Sequence, residues 1–516
     1  MSGCVVLRRR ARKGGPALYG FVRSHLDVMG RLEPEGRRLP DEDAPYSGGV
    51  GWAPGALEGG LGHVGSDARD DERAARVANL VRWTCQRPSD RRRRVLYAHV
   101  HEDHVLVIAD SLAEDLTEQP CDPQAVRELA RRLAMTAPER GAVQVGLVLL
   151  GVAGVGDALD VVRVLAAHEE FTLYAAIAVA NGTDHPEPEL WAMAQKVDGW
   201  GRIHCVQRLQ DATDPAIRAW ILRTGFRNAV QDEYLALIAA RTGSLVDALR
   251  GPHLDREVLT AAGDILLALM PGGPPVGDID DYEGAAEAIE LYLEAMRTRA
   301  MDLADLRSVT ALQAWLSSDS WSERHQVPGW SAPQRELCLD RCREITGSDH
   351  WHDLIFVALL SEDQGEFEQA QRLAVSRGYD TFDILLARIE RDPLDGPWWK
   401  AWREADRSRA GRLCEAARAL LPLDLIASGP VDERPSGLDL RQEAALGCTL
   451  QSLRDHPGIG GDLLQAGLRS PVAYIRLMAT VALWNWPRSA WPPGTHALLQ
   501  APPTQDPREQ SDRYAD

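Results

Sequence analysis

The densest group of chemically capable side chains is the run His99-Val100-His101-Glu102-Asp103-His104. On an extended strand, His99 and His101 project to the same side, and Asp103 and His104 in a following turn are placed to hold a second ion. A divalent ion held there would acidify a bound water and supply a hydrolytic nucleophile. His101 and Asp103 also make two thirds of a 2-His-1-carboxylate iron site, which would need one distal imidazole from the chain's 14 histidines. The bland alternative is a polar hairpin turn. A second group is spread over three segments: Glu170 and Tyr174, then Trp200, His204 and Arg208, then Asn228, Asp232 and Glu233. Trp200, His204 and Arg208 follow at i, i+4 and i+8 and so share a helix face. A mixture of aromatic, basic and acidic side chains suits recognition of another chain. The competing assignment puts Trp200 and Tyr174 in the core and Arg208 on a solvated face.

These groups need elements to hold them. Val95 to Val100 and His104 to Ala109 are short apolar runs with polar residues between, which predicts a β-hairpin near residues 94–109. From about residue 122 the pattern changes to paired helices. Asp122-Pro123, Asp214-Pro215, Asp198 and Asp255 supply caps and first-turn prolines. First helices start near 157, 189, 214 and 244, and second helices near 170, 199, 229 and 255. Two short helices per step of roughly 25 to 32 residues is the pattern of an α-solenoid, in which neighbours must stack to bury their apolar stripes. In such an array the second helices line the concave side, which would bring the second group of residues into one groove.

Two further signals dissolve when their surroundings are included. The hexad spells HxHxDH and resembles the metal-binding signature of the metallo-β-lactamase fold, which implies a metal-dependent hydrolase. That fold requires later strands to deliver a histidine, an aspartate and a final histidine. Here His168, Asp184 and His204 fall on segments that read as helical, and Val105-Leu106 stand where a glycine is usual. Gly151 to Gly156 looks like a dinucleotide loop, but its order is GxxGxG, and Glu169-Glu170 comes too early for a ribose partner. It reads as a turn between helices. No cysteine has the flanking residues of a haem-thiolate loop. The 15 tryptophans, among them Trp398, Trp399 and Trp402, read as packing between repeats, with Trp399 pointing away from the other two.

The net charge of -19 repels phosphate backbones, so nucleic acid is not an expected partner. Lysine occurs only at positions 13, 196 and 400, so nearly all the basic charge is arginine. The 8 cysteines include no CxxC pair, and their scatter reads as reduced thiols of a cytoplasmic protein. Neither a signal peptide nor a membrane span is expected.

The stretch from His99 to about Asp319 resembles a family of bacterial helical-repeat proteins. The carrying segments are His168 to Tyr174, Val197 to His204 and Asn228 to Ala236. Members of that family are often labelled limonene hydroxylase. The resemblance implies a HEAT-like fold and a monooxygenase acting on a monoterpene, with no catalytic motif to transfer residue by residue.

The resulting expectation is a mostly α protein, an α-α superhelix of the HEAT or armadillo kind with one small β-hairpin. Its parts are a disordered segment 1–72, a helix plus hairpin over 73–120, helical repeats over 121–270 and a linker over 271–281. A helical region over 282–427, repeats over 439–488 and a disordered tail over 489–516 follow. The expected function is non-catalytic binding of a protein or peptide, with the groove formed by Glu170, Tyr174, Trp200, His204, Arg208, Asn228 and Glu233. The alternatives are the limonene monooxygenase and a hydrolase using His99, His101, Asp103 and His104. No cofactor is expected apart from a metal ion at that segment.

Overall fold

A computed structural model describes residues 15–41, 68–101, 105–252, 254–270, 276–319, 321, 329–394, 396–429 and 439–499. The chain is mostly helical, at 72% helix. Among the described residues the one antiparallel β-bridge with both partners described joins Leu26 and Leu32. The chain divides into two compact units, Met1–Gly347 and Ser348–Asp516.

In the first unit one helix follows another in a row of direct neighbours. Pro123–Thr136 packs on Arg140–Ala153, which packs on Glu169–Gly182. Gly199–Gln207, Glu233–Thr242, Arg256–Leu269, Leu303–Leu316 and Ala332–Thr346 continue the row, each against the one before. Shorter helices, including Leu159–Leu165, Pro186–Ala194 and Leu245–Arg250, lie between them in sequence and pack against them. Pro215–Trp220 runs into a π-turn, Ile221–Gly225, which carries its contacts to the row. The caps sit where the sequence places them. The side chains of Asp122, Asp198, Asp214 and Asp255 accept from the backbone N–H of Gln124, Gly199, Ala216 and Val258.

Arg140–Ala153 shows why the row holds. Every residue from Gly141 to Gly151 is buried, and a helix that is apolar all round must be covered on all sides. Close approach is enforced by small residues. A Cβ on Gly146 would lie 2.9 Å from both Ala130 O and Ala134 N, and one on Gly151 would lie 3.2 Å from Ala178 Cα.

Arginine ties successive pairs along the edges. Arg127 donates to the carbonyls of Ala153 and Gly154. Arg218 donates to Thr242 O, Arg223 pairs with Asp255 and Glu257, and Arg256 with Asp302 and Asp305. Asp264 accepts from Arg227 on one side and Arg307 on the other, each at 2.6 Å. Many of the arginines of the first unit are thus used in joining one helix pair to the next.

In several places the structure departs from the sequence reading. The β-hairpin expected at 94–109 is replaced by two helices, Asp90–Val100 and Leu106–Glu118. The Ser89 side chain accepts from Arg92 N at the first, and Leu96 and Val100 bury one helical face. In the second, Ile108, Ala109, Leu112 and Leu116 are buried at helical spacing. Each apolar run is short, and a short run fits the strand and the helix period alike. The expected disorder over 1–72 also fails where the chain is described. Residues 15–41 form a helix, Leu18–Ser24, and a 3-10 turn, Pro34–Arg37, and they bury Leu18, Val22 and Leu39. Within the expected linker, Asp278 caps a 3-10 turn whose Ile279 is buried. The expected tail contains a 3-10 turn, Arg488–Ala490, and a short helix, Thr495–Leu499.

The second unit is also helical. His350–Leu359 packs on Gln364–Ser376, and Trp398–Arg403 on Leu440–Leu453. The last pair, Gly461–Leu468 and Ala473–Asn485, is joined by a turn where Arg476 donates to Ser470 O at 2.6 Å. Trp398 and Trp402 are buried and hydrogen-bonded to Pro393 O and Thr449 Oγ1, whereas Trp399 is 53% exposed.

One guanidinium holds the C-terminal end of the 15–41 segment. Arg140 Nε donates to Asp41 Oδ2 at 3.1 Å, its Nη2 to Asp41 Oδ1 at 3.2 Å, and its Nη1 to Glu170 Oε2 at 2.9 Å. All three side chains are largely buried. Arg140→Met strands two buried carboxylates, and its expected cost is about 3–5 kcal/mol. Trypsin should then cut within residues 15–41 at a rate that the parent protein resists. Equal cleavage of the two proteins would show that Arg140 does not hold the segment.

Candidate functional site

The expected groove residues separate into two roles. Glu170 and Tyr174 are buried, Glu170 against Arg140 and Tyr174 in the core at 1% exposure. Asn228 clamps its own loop: its amide donates to Phe226 O and Gln231 O, and its Oδ1 accepts from Val230 N and Gln231 N. Glu233 is half-buried in the first turn of Glu233–Thr242. Trp200, His204 and Arg208 do share a face of the Gly199–Gln207 helix. Trp200 stacks on His204 at 6.0 Å and meets Tyr234 of the neighbouring helix edge-on at 4.9 Å, while Arg208 Nη1 donates to His204 O at 2.8 Å. His204 is buried, and its Nε2 has no hydrogen-bond partner among the described residues. These residues form a packed aromatic seam, with only the Trp200 edge reaching an open cleft.

That cleft, about 530 Å³, lies between the docked N-terminal segment and the loops at one end of the helix row. Arg31, Leu32 and Arg37 form one wall, and His168, Glu169, Lys196, Asp198, Trp200 and Val230 belong to the other. Nothing in the sequence marks the first wall, because its residues are held by long-range contacts. His168 is the link. It is fully buried; its Nδ1 accepts from Glu170 N and its Nε2 donates to Arg37 O, both at 3.2 Å. This bonding requires the neutral ring. Burial agrees, lowering the His168 pKa to about 4, and it does the same for His204.

Glu169 behaves in the opposite sense. Burial, aided by the nearby Asp198 carboxylate, raises its pKa to about 7. Gly199 adopts φ +52°, and a Cβ there would come within 3.0 Å of Glu169 Oε2, so glycine is needed to let the carboxyl sit against the start of the helix. Asp198 Oδ1 occupies the same end, accepting from Gly199 N at 2.8 Å and Ala229 N at 3.0 Å. On the other side of the charge balance, the side chains of Arg31, Arg37 and Lys196 are exposed and make no hydrogen bond or ion pair among the described residues.

The metal-ligand expectation at the hexad is only partly observable. His99 lies on the Asp90–Val100 helix and His101 follows as its C-cap, each with Nδ1 turned back to a carbonyl, Val95 O and Tyr97 O. Their strand alternation is therefore absent. Asp103 and His104 lie outside the described residues. No group of three or more His, Cys, Asp or Glu side chains among the described residues is arranged to hold a metal ion. The glycines Gly154 and Gly156, at φ +80° and +51°, form the turn after Arg140–Ala153. Buried cysteines are held as thiols; burial pushes Cys205 up to about 12. No helix among the described residues is long and apolar enough to cross a membrane.

No protein-family model, curated protein or solved structure matches this chain.

The raised Glu169 pKa gives a signed prediction. The folded state keeps this proton to about pH 7, whereas the unfolded state loses it near 4.5. The stabilisation from protonated Glu169 is therefore lost as pH rises from about 4.5 to 7. Glu169→Gln should be more stable than the parent by about 1–3 kcal/mol above pH 7 and equal to it below 4.5. Urea denaturation across this range measures the difference, and a gap that does not change with pH would contradict the assignment.

Proposed function

We propose that the first unit is a HEAT-like α-solenoid that acts as a binding scaffold for a protein or peptide, and that its recognition cleft takes an acidic segment. The row of successive helices, each packed on the one before, supports the solenoid reading. The observation that carries the binding reading is the state of the basic groups. In a chain of net charge -19, most arginines near the row are tied to carboxylates or carbonyls, yet Arg31, Arg37 and Lys196 make no ion pair among the described residues around one cleft. Trp200 and Val230 beside them offer apolar contact. A segment bearing carboxylates with a hydrophobic residue among them matches this wall in charge and surface.

The cleft exists only while residues 15–41 are docked, so binding is coupled to the Arg140 anchor and to neutral His168. The cleft itself recognises by charge, and bond-making chemistry is not part of the reading.

Fluorescence anisotropy with labelled peptides tests it. An acidic, aromatic-containing peptide should bind at least about tenfold more tightly than its basic counterpart, and its affinity should fall with salt. The triple variant Arg31→Glu, Arg37→Glu, Lys196→Glu should lose that preference or invert it. Equal affinity for the two peptides, or a triple variant that binds like the parent, would remove the proposal.

A further inference from the structure

A second cavity, in the Ser348–Asp516 unit, has the make-up of a small-molecule site. It holds about 460 Å³ and is lined by Gln371, Arg372, Val375, Trp399, Lys400 and Arg403, together with Glu368, Ser376 and Glu404. Pockets of some hundreds of Å³ with an apolar wall and a few convergent polar groups are the usual form of ligand sites. Here the apolar wall is Trp399 and Val375, which are 53% and 46% exposed although each is large and hydrophobic. Trp398 and Trp402 fill the buried face of the Trp398–Arg403 helix, which turns Trp399 outward to the cavity.

The polar groups are unevenly satisfied. Gln371 is 6% exposed, and its side-chain amide makes no hydrogen bond among the described residues. The amide atoms are not closed off from solvent, so they open onto the cavity that Gln371 lines. Lys400 is likewise 6% exposed and has three N–H donors, but among the described residues its one ion-pair partner is Glu368. Its Nζ also lies 5.1 Å from the Phe367 ring and 5.7 Å from the Trp399 ring. The carboxylates are already engaged: Glu368 with Lys400 and with Gln364 Nε2, and Glu404 with Thr381 N and Oγ1. Arg372 and Arg403 make no ion pair among the described residues. Both are exposed at the cavity, and Arg403 lies over the Trp399 ring at 5.5 Å. The cavity thus presents spare donors and positive charge opposite an apolar aromatic wall.

We infer that this cavity binds an organic carboxylate with an aromatic or branched apolar body, its carboxylate received by Lys400, Gln371 and the two arginines and its body laid against Trp399 and Val375. Such a group is offered both by a small free acid and by the free C-terminus of a peptide ending in a hydrophobic residue. The site is separate from the cleft of the first unit and does not depend on the function proposed for it.

Calorimetric titration of the full chain tests the inference with four probes: 3-phenylpropionate, 3-phenylpropionamide, a short peptide ending in phenylalanine with a free carboxylate, and its C-terminal amide. Each acid should bind at least about tenfold more tightly than its amide, because charge-assisted hydrogen bonds are lost with the charge. Whichever acid binds more tightly identifies the source of the ligand, and either result supports the site. Arg372→Gln with Arg403→Gln, both on the surface, should weaken the acids several-fold and leave the amides unchanged. Trp399→Ala should weaken acid and amide alike. Lys400→Met strands Glu368, so it is made together with Glu368→Gln, and that pair should also remove the preference for acid. The inference is overturned if no acid binds, if acid and amide bind equally, or if Trp399→Ala binds the acid as the parent does.

Discussion

The helix Arg140–Ala153 has no face of its own to give to water, and the rest of the first unit follows from covering it. Its residues from Gly141 to Gly151 are buried between Pro123–Thr136 on one side and Glu169–Gly182 on the other. Glycine at 146 and 151 lets backbone meet backbone at those two contacts. A helix pair built this way cannot be stable alone, because removing a neighbour exposes an unbroken apolar surface. Each later helix in the row repeats the arrangement less extremely, and the edge arginines hold successive pairs in register.

The same helix begins the chemistry of the cleft. Arg140, its first residue, leaves the packed row to bind Asp41 and Glu170, and so brings the N-terminal segment over the end of the array. His168 fastens the same end of that segment a second time, through Arg37 O, and Leu18 N donates to Ala137 O near its start. Packing, anchoring and recognition therefore form one chain of dependence. Acid affects its last link first. His168 and His204 are neutral in the fold and charge freely when unfolded, so the stability they contribute is complete above about pH 6.5 and declines toward pH 4.

The sequence was informative where local rules decide the outcome. Asp-Pro and lone Asp caps marked helix starts such as Pro123, Pro215 and Arg256 correctly, and the glycines after Arg140–Ala153 read as the turn they form. Trp398 and Trp402 read as packing and are buried, and Trp399 reads as the outlier and is exposed. The shared face of Trp200, His204 and Arg208 was legible from spacing, but its burial was not, because Tyr234 arrives from the next helix to cover it. Where short apolar runs carry either period, as in Val95 to Val100, period alone could not separate strand from helix, and the Ser89 cap was the overlooked signal. The cleft was illegible for a different reason. Leu18, Val22 and Leu39 are sparse among glycines and prolines, and only contacts more than a hundred residues away make them a core.

Native-state hydrogen exchange on a Gly146→Ala variant tests the central claim most directly. The added Cβ meets the backbone of Ala130 and Ala134, so the two helices must separate. If neighbours stabilise one another along the row, amide protection should fall together in Pro123–Thr136, Arg140–Ala153 and Glu169–Gly182, with the helices of the Ser348–Asp516 unit unchanged. Protection lost only within Arg140–Ala153, with full protection kept on both flanking helices, would contradict the account.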